Sequence, residues 1–125
     1  MGLLSGLLGH SSAADVGALQ KEFQPILVDG EELVAAYKVL RDMIVFTNKR
    51  LILVDKQGLT SSKIDYQTIP YTRIVRFSKE SAGLMDLEAE LKIWIVGEVQ
   101  PIAKTFSRNQ NVNEAYRLLS SAVLD

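Results

Sequence analysis

Asp86, Glu88 and Glu90 alternate with apolar residues in MDLEAELKIWI, a spacing that sets three carboxylates along one side of a strand. Three such groups are raw material for a cation site. A calcium loop, however, wraps its ligands around the ion through a turn, whereas a straight strand spaces alternate side chains about 7 Å apart. The stripe therefore reads either as a solvated acidic ridge or as a charged contact with a subunit or partner. Trp94 continues the same outward face, where it suits an interface or packing beneath an N-terminal helix. His10 is the sole histidine, and a zinc site built from it and scattered carboxylates would be poorly preorganised. Zero cysteines remove thiolate ligands, disulfides and cysteine nucleophiles. Neither a GxSxG elbow nor a phosphate-cradling glycine loop is present. With nucleophile–base pairs so scarce, the chain is expected to be no enzyme and to hold no metal or cofactor.

The totals narrow the classes further. A chain of 125 residues with 47% apolar and 23% charged residues is an ordinary globular sequence. Its 14 Lys+Arg against 15 Asp+Glu give a net charge of -1, without the basic excess that nucleic-acid binding demands. The lack of cysteine fits a reducing cytoplasm, the expected location. The start, MGLLSGLLGH, lacks a positive n-region, and Gly6 and Gly9 interrupt its apolar stretch. Leu3, Leu4, Leu7 and Leu8 are expected to pack on the domain or on a neighbouring subunit; contact with a membrane surface is the alternative.

The elements that would position these groups follow from spacing. Ser12 and Asp15 resemble a capping box ahead of Val16, Leu19 and Phe23, which predicts a short amphipathic helix over about 13–23, ended by Pro25. Residues 1–25 thus form a helical segment ahead of a domain over 26–125. After the Asp29-Gly30 turn signal the period becomes two. Strands are predicted over 33–40, 43–46, 50–55, 63–69, 73–78, 87–96 and 102–106, most with one apolar face. Arg41-Asp42 makes a tight corner, and Asn48-Lys49 a hairpin loop that uses the tolerance of Asn for positive φ. Over 87–96, Leu87, Ala89, Leu91, Ile93 and Ile95 should point inward, and Glu88, Glu90, Lys92 and Trp94 outward. Arg41, Asp42, Lys49 and Arg50 are expected at the solvent-facing strand ends. Lys49-Arg50 could touch an anion, though a solvated turn is the simpler account. Asn111 with Glu114 predicts an N-capped helix, and Val112, Ala115, Leu118, Leu119, Ala122 and Val123 fall on one side of it. Tight turns make the strands antiparallel neighbours. Seven of them can bury their apolar faces by curling into a small barrel or sandwich that the last helix closes.

The stretches GEELVAAYKVLRDMIVFTNKRLILVDKQG (30–58), YQTIPYTRIVRFSKESAG (66–83) and MDLEAELKIWI (85–95) resemble the bacterial pleckstrin-homology-like (PH-like) domain family. FTNKRLILVD is also similar to the strand–turn–strand of GRAM domains, in the same superfamily. The resemblance spans about residues 26–124, departing at Ser61-Ser62, where the family tends to have a Gly-Lys pair. It implies a split seven-stranded antiparallel barrel capped by the 111–124 helix. It further implies a cyclic homo-oligomer, five-membered in single-domain relatives, with polar residues at the subunit junctions facing an unidentified protein partner. Phosphoinositide-binding relatives clamp phosphates with a long basic loop between the first two strands. Here that loop is Arg41-Asp42, too short and half acidic, so no phosphoinositide is expected. The residues expected at the interaction surface are Arg41, Asp42, Lys49, Arg50, Glu80, Asp86, Glu88, Glu90 and Trp94.

Overall fold

In the computed structural model, residues 16–39, 42–56, 63–81, 88–107 and 111–125 are described. Helix α1 spans Val16–Phe23, and a 3-10 turn, Gln24–Ile26, follows it. The strands are β1 Leu33–Val39, β2 Asp42–Thr47, β3 Arg50–Lys56, β4 Ile64–Pro70, β5 Ile74–Ser81, β6 Glu88–Ile95 and β7 Ile102–Ser107. A second 3-10 turn, Tyr71–Arg73, joins β4 to β5, and helix α2 spans Val112–Val123. Strands β1-β2-β3-β4 form one antiparallel sheet in that order, and β5-β6-β7 form another. This is the split seven-stranded arrangement with a C-terminal helix that the sequence predicts.

The core lies between the two sheets. Tyr37, Ile44, Phe46, Leu51, Leu53, Leu91, Ile93 and Phe106 are buried there together. The rings of Tyr37 and Phe106, 5.8 Å apart, join the first sheet to the second at the β1–β7 corner. Helix α2 plugs the core with Ala115 and Leu119, both fully buried. The side chain of Asn111 accepts a hydrogen bond from the Glu114 N–H, which satisfies one of the orphan donors of the first turn.

A second apolar layer changes one expectation. Strands β2 and β3 bury both faces, not one. Val45, Ile52 and Val54 point away from the main core, and α1 covers them with Val16, Leu19 and Phe23. The i, i+3, i+7 spacing of those three residues makes one helical stripe. MIVF and LILV are continuous apolar runs because both sides of these strands are dry. Leu51 and Leu53 serve the main core, while Val45 serves the helix layer.

Candidate interaction surfaces

The β2–β3 turn is the expected two-residue loop, Asn48-Lys49, between Thr47 and Arg50. Thr47 Oγ1 accepts hydrogen bonds from the Lys49 and Arg50 N–H groups, at 3.0 and 2.9 Å, and so folds the turn itself. The Asn48 side chain instead reaches across to the start of β1, where it accepts from the Glu32 N–H and donates to the Gly30 carbonyl. Gly30 holds a φ of 79°, a conformation that side chains with a Cβ rarely adopt.

Arg50 is not a solvated turn residue. Its Nε lies 2.8 Å from Glu31 Oε2, and the Glu31 side chain is fully buried. Its other nitrogens donate to the Ile26 carbonyl and to Thr68 Oγ1. Glu31 also accepts from Thr47 Oγ1 at 2.7 Å and from the Val28 N–H at 3.0 Å. Burial alone would raise this carboxyl. The hydrogen bonds from Arg50, Thr47 and Val28, with the Arg50 charge, outweigh it and hold the group below its ordinary value. The cluster ties the segment after α1 to β2, β3 and β4, and engages all three guanidinium nitrogens of Arg50 within the fold. Lys49 is exposed. No sequence signal marks Glu31 and Arg50 as partners, because 19 positions separate them.

Asp42 lies at the other end of β2, so the structure does not bring it together with Lys49 and Arg50. It is the first residue of the strand, opposite Val39, not a free corner. Its carboxylate sits 3.0 Å from Lys104 Nζ on β7, an ion pair across the closed corner between the sheets. Asp55 and Asp65 face each other across β3 and β4, so a row of three carboxylates crosses the first sheet. Burial works to raise Asp42, but hydrogen bonds from Lys104, Asp55 and the Lys56 N–H lower it. Asp55 is raised by its hydrogen bond to Asp42 and by the charge beside it. Among the described residues no group of three or more His, Asp or Glu side chains could hold a metal ion.

The outer face of the second sheet carries most of the remaining expected residues. Glu90 lies opposite Glu80, and Lys92 opposite Ser78. Lys92 Nζ is 3.2 Å from Glu80 and 3.7 Å from Glu90, and the hydrogen bond to Glu80 raises the ammonium above its usual value. Lys92 thus divides the acidic stripe into an ion-paired cluster and an exposed Glu88. Trp94 is half-buried, with the Arg76 guanidinium 4.0 Å above its ring, and α1 lies on the other sheet. Arg76, absent from the expected set, pairs with Trp94 across the strands; the i+2 alternation of RIVRFS could have pointed to it. Ala103, Thr105 and Ser107 of β7 complete this face with short side chains. Among the described residues no helix covers it. Arg41, Asp86, His10 and Ser61-Ser62 lie outside the described residues, as do the capping box at Ser12 and the Leu-rich start.

A cavity of about 280 Å³ opens between the last turns of α2 and the β2–β3 turn. Val34, Phe46, Leu118 and Ala122 line it, with Thr47, Asn48, Tyr71, Ser121 and Asp125. Its polar groups are largely spent within the fold: Tyr71 Oη donates to the Thr47 carbonyl at 2.7 Å, and Asn48 is held as above.

Among the described residues these surfaces contain polar and aromatic contact groups. Comparison with known proteins agrees with the architecture. A family model described as bacterial PH domain matches residues 2–123. The chain is 47% identical over 125 residues to the uncharacterized protein YjqA of Bacillus subtilis strain 168, covering 99% of this chain and 100% of that one. A crystal structure of a DUF1696 family protein with a pleckstrin-homology domain from Shewanella loihica PV-4 superposes with a TM-score of 0.82 at 42% identity, over 90% of this chain and 96% of the other. The pleckstrin homology domain from Shewanella amazonensis SB2B gives a TM-score of 0.81 at 48% identity, over 89% of this chain and 100% of the other. The chain belongs to the bacterial PH domain family.

Proposed function

We propose that this protein is a non-catalytic adaptor of the cytoplasm, which assembles into a cyclic homo-oligomer and presents a polar face to a protein partner. The observation that carries this reading is the unequal covering of the two sheets. The outer face of the first sheet is buried under α1, whereas the outer face of the second keeps Trp94, Arg76, Lys92, Glu80, Glu88 and Glu90 uncovered among the described residues. Tryptophan and arginine are the residue types that dominate binding hot spots, and a pre-stacked pair loses little freedom on docking. The ring is supported by the family resemblance and by a net charge of -1, which opposes self-association weakly. No helix among the described residues is long and apolar enough to cross a membrane.

Affinity capture from native lysate on immobilised wild-type protein, Trp94→Ala and Glu88→Lys tests the partner surface. A protein retained by wild type and lost from both variants, with unchanged circular dichroism, supports the reading. Equal retention by all three removes this face from the function.

A further inference from the structure

The cavity of about 280 Å³ beside the β2–β3 turn has no part in the adaptor reading. It lies at the opposite end of β2 from Asp42 and the short β1–β2 corner, and apart from the Trp94 face. Its size is close to that of the smaller pockets that hold small molecules, about 300 Å³. Val34, Phe46, Leu118 and Ala122 give it an apolar floor, which favours an apolar body over water.

The polar groups around that floor have given up most of their donors. The Tyr71 hydroxyl hydrogen goes to the Thr47 carbonyl. Thr47 Oγ1 donates to Glu31 Oε2 while it accepts two backbone N–H groups. Asn48 keeps one amide hydrogen, the other being held by the Gly30 carbonyl. What remains is mostly acceptor: the Tyr71 oxygen, the Ser121 hydroxyl and the Asp125 carboxylate. Helix α2 adds to this surplus. The Leu124 N–H donates to the Ser120 carbonyl at 2.9 Å, which leaves the Ser121 and Ala122 carbonyls beyond it as orphan acceptors of the last turn. The negative end of the helix dipole lies there too. Among the described residues that line the cavity, Asp125 alone is charged.

We infer that this cavity binds a small organic cation, an ammonium group on a short aliphatic stem. The stem lies against Phe46, Leu118 and Ala122, and the ammonium sits at the mouth beside Asp125 and the end of α2. An ammonium brings three donors and no acceptor, which matches the surplus. A carboxylate on the same stem would meet Asp125 and the negative helix end with like charge. An alcohol would keep the floor and forfeit the attraction. A free alkylamine and the lysine side chain of a partner protein share this chemistry. The assignment depends neither on the ring nor on the Trp94 face.

Amide chemical shifts of the isotope-labelled protein, followed during titration at constant pH and ionic strength, test this. The probes are n-butylammonium, n-butanol and n-butyrate. The expected result is saturable shifts centred on Asn48, Leu118, Ala122 and Asp125 with n-butylammonium, at a Kd on the order of millimolar. n-Butanol should bind more weakly and n-butyrate not at all. Asp125→Asn should weaken n-butylammonium roughly fivefold and leave n-butanol unchanged. Ala122→Phe, which fills the floor, should abolish both; Asp125→Asn alters an exposed side chain and keeps the test decisive if Ala122→Phe does not fold. n-Butanol or n-butyrate bound as tightly as n-butylammonium, or unchanged ammonium binding in Asp125→Asn, overturns the cation. Shifts that do not saturate, or that lie elsewhere, overturn the site. Nα-acetyl-lysine amide separates the two sources. Tighter binding than n-butylammonium supports a partner's lysine, and weaker binding supports a free amine.

Discussion

Glu31 and Arg50 form a buried ion pair, 2.8 Å between Oε2 and Nε, at the junction of the N-terminal segment with three strands. The carboxylate is fully enclosed, and the guanidinium reaches it from the side that still meets water. Removing one member of such a pair strands the other charge, at a cost of about 3–5 kcal/mol. Arg50→Met should therefore lower the melting temperature sharply. Lys49→Ala, one position away on an exposed turn, should change stability by no more than about 0.5 kcal/mol. Thermal unfolding followed by circular dichroism separates the two. Equal effects would mean that Arg50 is the solvated turn residue its position suggests.

The same pair makes a pH prediction. A lowered folded value for Glu31 contributes stability that is fully present above the ordinary value of 4.5 and disappears as pH falls through the folded value. Asp42, also lowered, acts in the same sense below its ordinary 3.8. Asp55 acts oppositely: its raised value gives stability below 3.8 that is lost as pH climbs through the folded value. Glu31→Gln should thus flatten the acid limb of a stability–pH profile taken from pH 6 to 3. An unchanged limb would show that other carboxyls set it.

Tyr37 offers a prediction of the opposite sign. The residue is 1% exposed, its ring stacked edge-on with Phe46, and its hydroxyl has no hydrogen-bond partner among the described residues. Burial, helped by the Glu114 charge, pushes this phenol well above its usual value. A buried hydroxyl without a partner carries a desolvation penalty. Tyr37→Phe should therefore leave stability unchanged or raise it by about 1 kcal/mol. Urea unfolding midpoints measure this, and a clear loss would point to a bond that the hydroxyl makes in solution.

Much of this architecture was legible before any coordinates. The alternation in LEAELKIWI sorted Leu91 and Ile93 inward and Lys92 and Trp94 outward, because one side of β6 is dry and the other wet. The cap at Asn111 and the stripe through Ala115 and Leu119 were equally plain, since capping and helical spacing are local. What escaped was non-local. Arg50 beside Lys49 has the look of a basic turn until Glu31 closes on it from 19 positions away. The double burial of β2 and β3 was written in the unbroken run MIVF, yet that run is equally consistent with one buried face and a short strand. Trp94 could be placed on an outward face, but the Arg76 guanidinium over its ring depends on strand register.

Light scattering during size-exclusion chromatography, at micromolar protein, tests the proposed self-assembly most directly. The account predicts one species at a closed multiple of 13.9 kDa. Wild-type protein that elutes at 13.9 kDa would contradict it.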